Sequence, residues 1–200
     1  MMENIFILIK IICMNKIDVF NEEYKFIKNK KYADNLKIMV DLLPDYFFSI
    51  PASSTGKYHP SYSLGEGGLV RHVKAAARIA YELYGTSSVT GIFNDSEKDL
   101  MIFAIILHDG LKSGIVHEQY TRFDHPILMS NYIKENKDKL TLTDNEIEFI
   151  CSAIASHMGE WNRDKNGVEV LPLPINKYQK FVHMCDFLAS RKCLEVKFDI

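Results

Sequence analysis

Apolar residues recur through most of the chain at intervals of three and four, and strand-like alternation is scarce, which predicts an all-α bundle of about six main helices. The first helix is expected from about Glu22 to Leu43, stopped by Pro44, whose ring and missing N–H a helix interior does not accept. A glycine- and proline-rich stretch, Ser49 to Gly68, follows, and a connection of that length is more often functional than idle. The second helix, about Leu69 to Tyr84, places His72, Ala76, Ile79 and Leu83 on one stripe, so His72 faces inward. The third is read as starting at Ser96 with Asp99 as its capping partner; it is apolar nearly all round from Met101 to Leu107, as a central buried helix must be. The fourth runs from near Asp124 to about Lys139. The fifth opens on the capping box Thr143 to Glu146 and ends near His157, and the sixth begins after Pro174 and continues to about Lys192.

No repeat or low-complexity tract divides these elements, so residues 21–200 read as one domain and residues 1–20 as an N-terminal leader or appendage. The apolar run Ile5 to Met14 is interrupted by Lys10 and falls far short of the roughly 20 residues that span a bilayer. Met14-Asn15-Lys16 offers a second start-like context, and loss of the residues before it is expected to leave the core intact.

Composition narrows the class. With 200 residues and 47% hydrophobic content the chain can bury one real core, which excludes a disordered protein. A net charge of −2 gives no electrostatic call for nucleic acid or an acidic membrane surface. The four cysteines form no CxxC pair, which argues against a zinc finger or disulfide framework and fits a reducing, cytoplasmic setting. There is no Walker loop and no dinucleotide fingerprint, so neither ATP nor NAD is implied as a cofactor.

The chemistry concentrates where the third helix ends. An almost wholly apolar segment terminates in His108 and Asp109, at a point where Gly110 is read as breaking the helix. Burying two polar groups there is costly unless something satisfies them, and a metal ion does so directly. His72 faces inward from the second helix, His125 sits in the first turn of the fourth, His157 shares a face with Ile150, Ala153 and Ile154, and Asp186 interrupts the apolar run of the sixth. A single inward histidine is usually a satisfied core residue; several, with a doublet among them, favour a metal site.

These segments resemble the HD-domain metal-dependent phosphohydrolases, an all-α family marked by His, then His-Asp, then Asp. The matching strings are GGLVRH ending in His72, LHDGLK with His108, Asp109 and Lys112, and CDFLASRK with Asp186. FDHP with His125 and ASHMGE with His157 are similar to the extra histidines of family members that hold two metals. Two strings depart from the common pattern: HDGLK stands for HDIGK and SHMGE for SHHGE, the latter placing Met158 where a polar group is usual. Among HD proteins the stretch IPASSTGKYHPSYSLGEGGLVRH, with His183 three residues before Asp186, most resembles the HD domain of 3′-to-5′ exoribonucleases, whose nucleic-acid-binding domain has no room here.

The resemblance implies one or two divalent ions (Mn, Fe, Ni, Co or Zn) held by His72, His108, Asp109, His125, His157 and Asp186, with a metal-activated water attacking a phosphoester. Asp109 would bridge the ions, and Lys112 would hold a nonbridging phosphate oxygen. His59, with Lys57 beside it, is a further candidate to grip phosphate or base, and Trp161 and Asn162, shortly after His157, are candidates to wall the pocket and stack a base. His117 and Glu118 are weaker ones, and Arg71, Arg78 and Arg191 are candidates to read phosphates whose ordinary explanation is a solvated helix face. The expected partner is a small phosphorylated substrate, a nucleotide or short oligonucleotide. An exoribonuclease-like nuclease and a non-catalytic nucleotide-binding module remain the alternatives, and a homo-oligomer is compatible with either.

Overall fold

The computed structural model describes residues 15–53 and 55–194; the apolar Ile5–Met14 run lies outside the described residues. The main elements are α1 (Lys30–Asp41), α2 (Gly68–Tyr84), the single turn α3 (Ser87–Thr90), α4 (Asp95–Leu107), α5 (His125–Glu135), α6 (Asp144–Ala155) and α7 (Lys177–Ala189). Among the described residues there is no strand, only an isolated bridge between Arg163 and Glu169, and no helix is long and apolar enough to cross a membrane.

The first helix is shorter than its periodicity predicts. Lys16–Phe20 and Glu23–Phe26 form 3₁₀ turns, and α1 starts at Lys30 behind an Asn29 cap. Phe20 is wholly buried in the common core, and the Lys16 ammonium donates to the Leu43 carbonyl at 2.7 Å. The break at residues 27–29 has a long-range cause. The carboxylate of Asp99 accepts the backbone N–H of Lys28 at 3.0 Å and of Asn29 at 2.8 Å, which removes both from any helical ladder. Asp99 therefore does not cap its own helix, as the sequence reading has it. Asn94 does, in a capping box with Glu97 that starts α4 at Asp95.

α4 is central: every residue from Leu100 to Leu107 is buried, and the helix packs against α1, α2, α6 and α7. It ends at Leu107, before Gly110, and Gly110 has no left-handed backbone. Glycine is needed there for space, since a Cβ would lie 2.7 Å from Leu43 Cδ2 and 2.8 Å from Met129 Sδ. The 49–67 connection is fixed by backbone bonds to both ends of itself, Gly67 N to Ser49 O at 2.7 Å and Ala52 N to Ser63 O at 3.0 Å. It enters α2 through Gly67, at φ +67°, and Gly68, where a Cβ would sit 2.2 Å from the Ser63 carbonyl oxygen.

The remaining helices complete the bundle around α4. α5 packs on α6 and gives way at Glu135 to a 3₁₀ turn, Lys137–Lys139, where the sequence reading continued the helix. α6 keeps the predicted Thr143–Glu146 box. α7 opens on an Asn176–Gln179 box, ends at Ala189, short of the predicted Lys192, and lies against α2.

Candidate metal centre

The ends of α4 and α6, the start of α5 and the inner faces of α2 and α7 meet at one point. His72, His108, Asp109, His125, His157 and Asp186 converge there in three overlapping groups, each with ligand atoms within 4.8 Å of one another: His72, His108 and Asp109; His108, His157 and Asp186; and Asp109, His125 and His157. All but Asp186 are essentially buried; the Asp186 side chain keeps 18% exposure, so the cluster opens on the α7 side.

Local backbone geometry aims the rings. His108 Nδ1 lies 2.6 Å from Ile105 O, His125 Nδ1 2.7 Å from Arg122 O and His157 Nδ1 2.7 Å from Ile154 O, each a carbonyl three residues earlier. Two of these carbonyls belong to the last turns of α4 and α6, where the helical ladder leaves acceptors unused. A ring that donates Nδ1–H to a carbonyl presents the lone pair of Nε2, the form in which imidazole binds a metal. Arg122 holds Asp124 through two bonds and Glu118 through a third, which fixes the turn that offers its carbonyl to His125.

The carboxylate of Asp109 divides the cluster. Its Oδ1 lies 3.0 Å from His125 Nε2 and 3.8 Å from His157 Nε2, while Oδ2 faces His108 Nε2 at 3.5 Å and His72 Nε2 at 3.9 Å. Asp186 Oδ1 joins the second set, 2.9 Å from His72 Nε2 and 3.4 Å from His108 Nε2. Yet His108 Nε2 and His72 Nδ1 are buried without a hydrogen-bond partner. The orphaned His108 Nε2, buried 3.4–3.5 Å from two carboxylates and beside the further imidazoles of the cluster, belongs to the donor set of a divalent cation, so these residues fit a metal.

Electrostatics agree. Burial pushes the His108 imidazole down, but Asp109 and Asp186 outweigh it and lift it to about 10, so positive charge is favoured at that spot. Burial, reinforced by His108, drives His157 down to about 3 and keeps that ring neutral. Burial disfavours the charged form of Asp109, but Lys112 and His108 hold it well below the usual carboxylate range.

Lys112 is tied to the cluster: its Nζ lies 2.6 Å from Asp109 Oδ2 and the side chain is largely covered. His59 stands at the mouth, half-buried, its ring 5.6 Å from that of His72, and burial followed by the charges of His72 and Lys112 lowers it to about 4. Trp161 is half-exposed, stacked on Phe187 and 6.5 Å from the ring of His183. Asn162 is buried and spends its amide on the Leu171 carbonyl, so it closes a loop and walls no pocket. His117 stacks on Tyr46, Glu118 pairs with Arg122, and Arg71 pins the carbonyls of Tyr62 and Leu64.

Two supports escaped the sequence reading. His183 Nδ1 lies 2.6 Å from the carbonyl of His157 itself, and its ring packs where a Cβ on Gly159 would stand, 2.2 Å from His183 Cε1. Gly159, at φ +56°, thus admits the ring that steadies His157. The only sequence signal was the position of His183, one turn before Asp186.

A family model described as the HD domain matches residues 69–190, more than half of the chain and a span that contains all six converging side chains. No curated protein and no solved structure matches the chain.

Proposed function

The chain belongs to the HD-domain family, and from that premise we propose that it is a metal-dependent phosphohydrolase that cleaves a phosphoester in a nucleotide or short oligonucleotide, using one or two divalent ions (Mn, Fe, Ni, Co or Zn). The observation that carries this reading is the division of Asp109, whose two oxygens face two separate sets of imidazoles. Such ions, when bound, acidify water and polarise a phosphoryl group. The chain's own residues do the rest. Asp109, with His125 and His157 on one side and His72, His108 and Asp186 on the other, sets where positive charge accumulates. Lys112, already beside Asp109, supplies a further cation for a nonbridging phosphate oxygen, and His59 and Trp161 border the approach.

A small substrate suits the surface. With a net charge of −2 and three of its five arginines in carboxylate pairs, the chain offers few free phosphate contacts to a long polyanion. The test is elemental analysis of protein purified without chelator, followed by a panel of mononucleotides, cyclic dinucleotides and labelled RNA at two salt concentrations. Bound metal and phosphate or nucleoside release from the small substrates are expected. A metal-free protein that resists reconstitution would sink the proposal, and processive, strongly salt-sensitive degradation of long RNA would move the reading to an exoribonuclease.

A further inference from the structure

Beside Asp186 the surface carries three aromatic rings around one guanidinium. Phe187 follows Asp186 directly, and the Trp161 ring lies 5.7 Å from it at 19°, with the residue still 50% exposed. Arg191 Cζ sits 4.4 Å from the centroid of Phe187, 5.5 Å from Trp161 and 5.8 Å from Tyr58, which is itself 55% exposed. Lys192 N donates to Tyr58 O at 2.7 Å and the Tyr62 hydroxyl to Ala189 O at 2.8 Å, so the 58–62 segment is fastened to the end of α7.

Arg191 differs from the other arginines. Arg78, Arg122 and Arg163 are each paired with a carboxylate and Arg71 with two carbonyls. Arg191 donates through Nε and Nη2 to its neighbour Ser190 Oγ, at 3.1 and 2.9 Å, and makes no ion pair among the described residues. A cation kept on aromatic faces and away from carboxylates retains its charge for a ligand.

The shelf meets the residues of the metal cluster along the chain at two points. Phe187 is next to Asp186 in α7, and Tyr58 is next to His59, whose ring lies 5.6 Å from that of His72. A phosphoester held by its phosphoryl group at the cluster, with an organic part extending past His59, brings that part to Tyr58 and the rings gathered around Arg191. An aliphatic sugar alone would leave them open to water, whereas a flat, electron-rich heterocycle covers the exposed part of Trp161 and meets the Arg191 cation at its acceptor edge.

We infer that Trp161, Phe187, Tyr58 and Arg191 form a nucleobase-binding shelf that makes this site selective for phosphoesters bearing a base. This rests on the phosphohydrolase reading for its substrate, but its test does not. Trp161 is the chain's one tryptophan, so its fluorescence reports the shelf without turnover.

The experiment titrates a nucleoside monophosphate, ribose 5-phosphate and phenyl phosphate into the protein as purified, and measures kcat/KM for each. Saturable quenching by the nucleotide is expected, with little from ribose 5-phosphate or phenyl phosphate. Trp161→Ala should reduce the preference for nucleotide over ribose 5-phosphate by about tenfold or more, mainly through KM, and Trp161→Phe should restore most of it. Arg191→Gln should weaken the quenching affinity. Quenching by the nucleotide, with no hydrolysis of it or of a cyclic dinucleotide or short RNA in the presence of added metal, would uphold the shelf and defeat the phosphohydrolase reading. Hydrolysis with no quenching, or with equal response to all three compounds, would overturn the shelf and leave that reading standing.

Discussion

His125 and His157 point Nε2 at Nε2 across 3.3 Å, although each ring has already placed Nδ1 against a carbonyl. Two lone pairs face each other there unless a cation intervenes. Removing divalent ions should therefore destabilise the fold. Protein stripped with a chelator is expected to gain about 2.7 kcal/mol when an accepted ion is restored to roughly a hundred times its Kd, seen as a melting point higher by several degrees. Identical melting curves with chelator and with added Mn or Zn would count against the centre.

The two oxygens of Asp109 make the loss of ligands unequal. His125→Ala and His157→Ala should each lower metal content from two ions per chain toward one, whereas Asp109→Ala should release both and abolish activity. Elemental analysis of the three purified variants checks this. Full metal content and rate in both histidine variants would make the centre mononuclear.

Lys112 touches Asp109 at 2.6 Å, and the proposed reaction asks it to hold a phosphate oxygen as well. Lys112→Ala should lower kcat/KM by about 10²–10³, the cost of one well-placed donor, with kcat carrying most of the loss. Steady-state kinetics of the Ala and Arg variants decide it: an unchanged kcat in both would leave Lys112 with a purely structural role.

Asp99 holds the break before α1 far from the metal cluster. Asp99→Ala removes two charge-assisted bonds to Lys28 and Asn29 and should cost about 3 kcal/mol of stability while metal content stays the same. Urea unfolding measures it, as a lower midpoint with an unchanged slope.

Glu146 joins α6 to α1 through Lys31, at 2.7 Å, and the Tyr32 hydroxyl, at 2.7 Å. Burial opposes its ionisation, but Lys31, the Thr143 backbone N–H and Tyr32 bring its carboxyl from 4.5 down to about 2. A lowered folded-state value means the contribution is whole above pH 4.5 and is lost as the pH falls toward 2. The acid limb of stability should be shallower in Glu146→Gln than in the parent chain, as urea midpoints across that range would report. Parallel acid limbs in the two proteins would contradict the assignment.

Most of the bundle was legible because its helices are amphipathic or, like α4, apolar all round, and because the Thr143–Glu146 box is local. The overrun of the first helix was not. Residues 22–29 have helical character, and what stops them is a carboxylate some seventy positions away. The converging histidines and aspartates were visible as polar residues on apolar faces. The direction of each ring was not, since it depends on carbonyls at helix ends, and neither was the role of Arg191, which looks like any surface arginine until Trp161 and Tyr58 are folded around it.

The carbonyl three residues before His108, His125 and His157 also fixes how the protein tolerates change. One residue inserted between Ile105 and His108 turns the ring about 100° around the helix axis and severs it from its anchor. An insertion in the exposed 163–170 excursion moves no anchor. Length variation in this architecture is therefore partitioned: the three-residue spacers before His108, His125 and His157 are rigid rulers for the ring directions, and an excursion such as 163–170 is where the chain can grow without turning them.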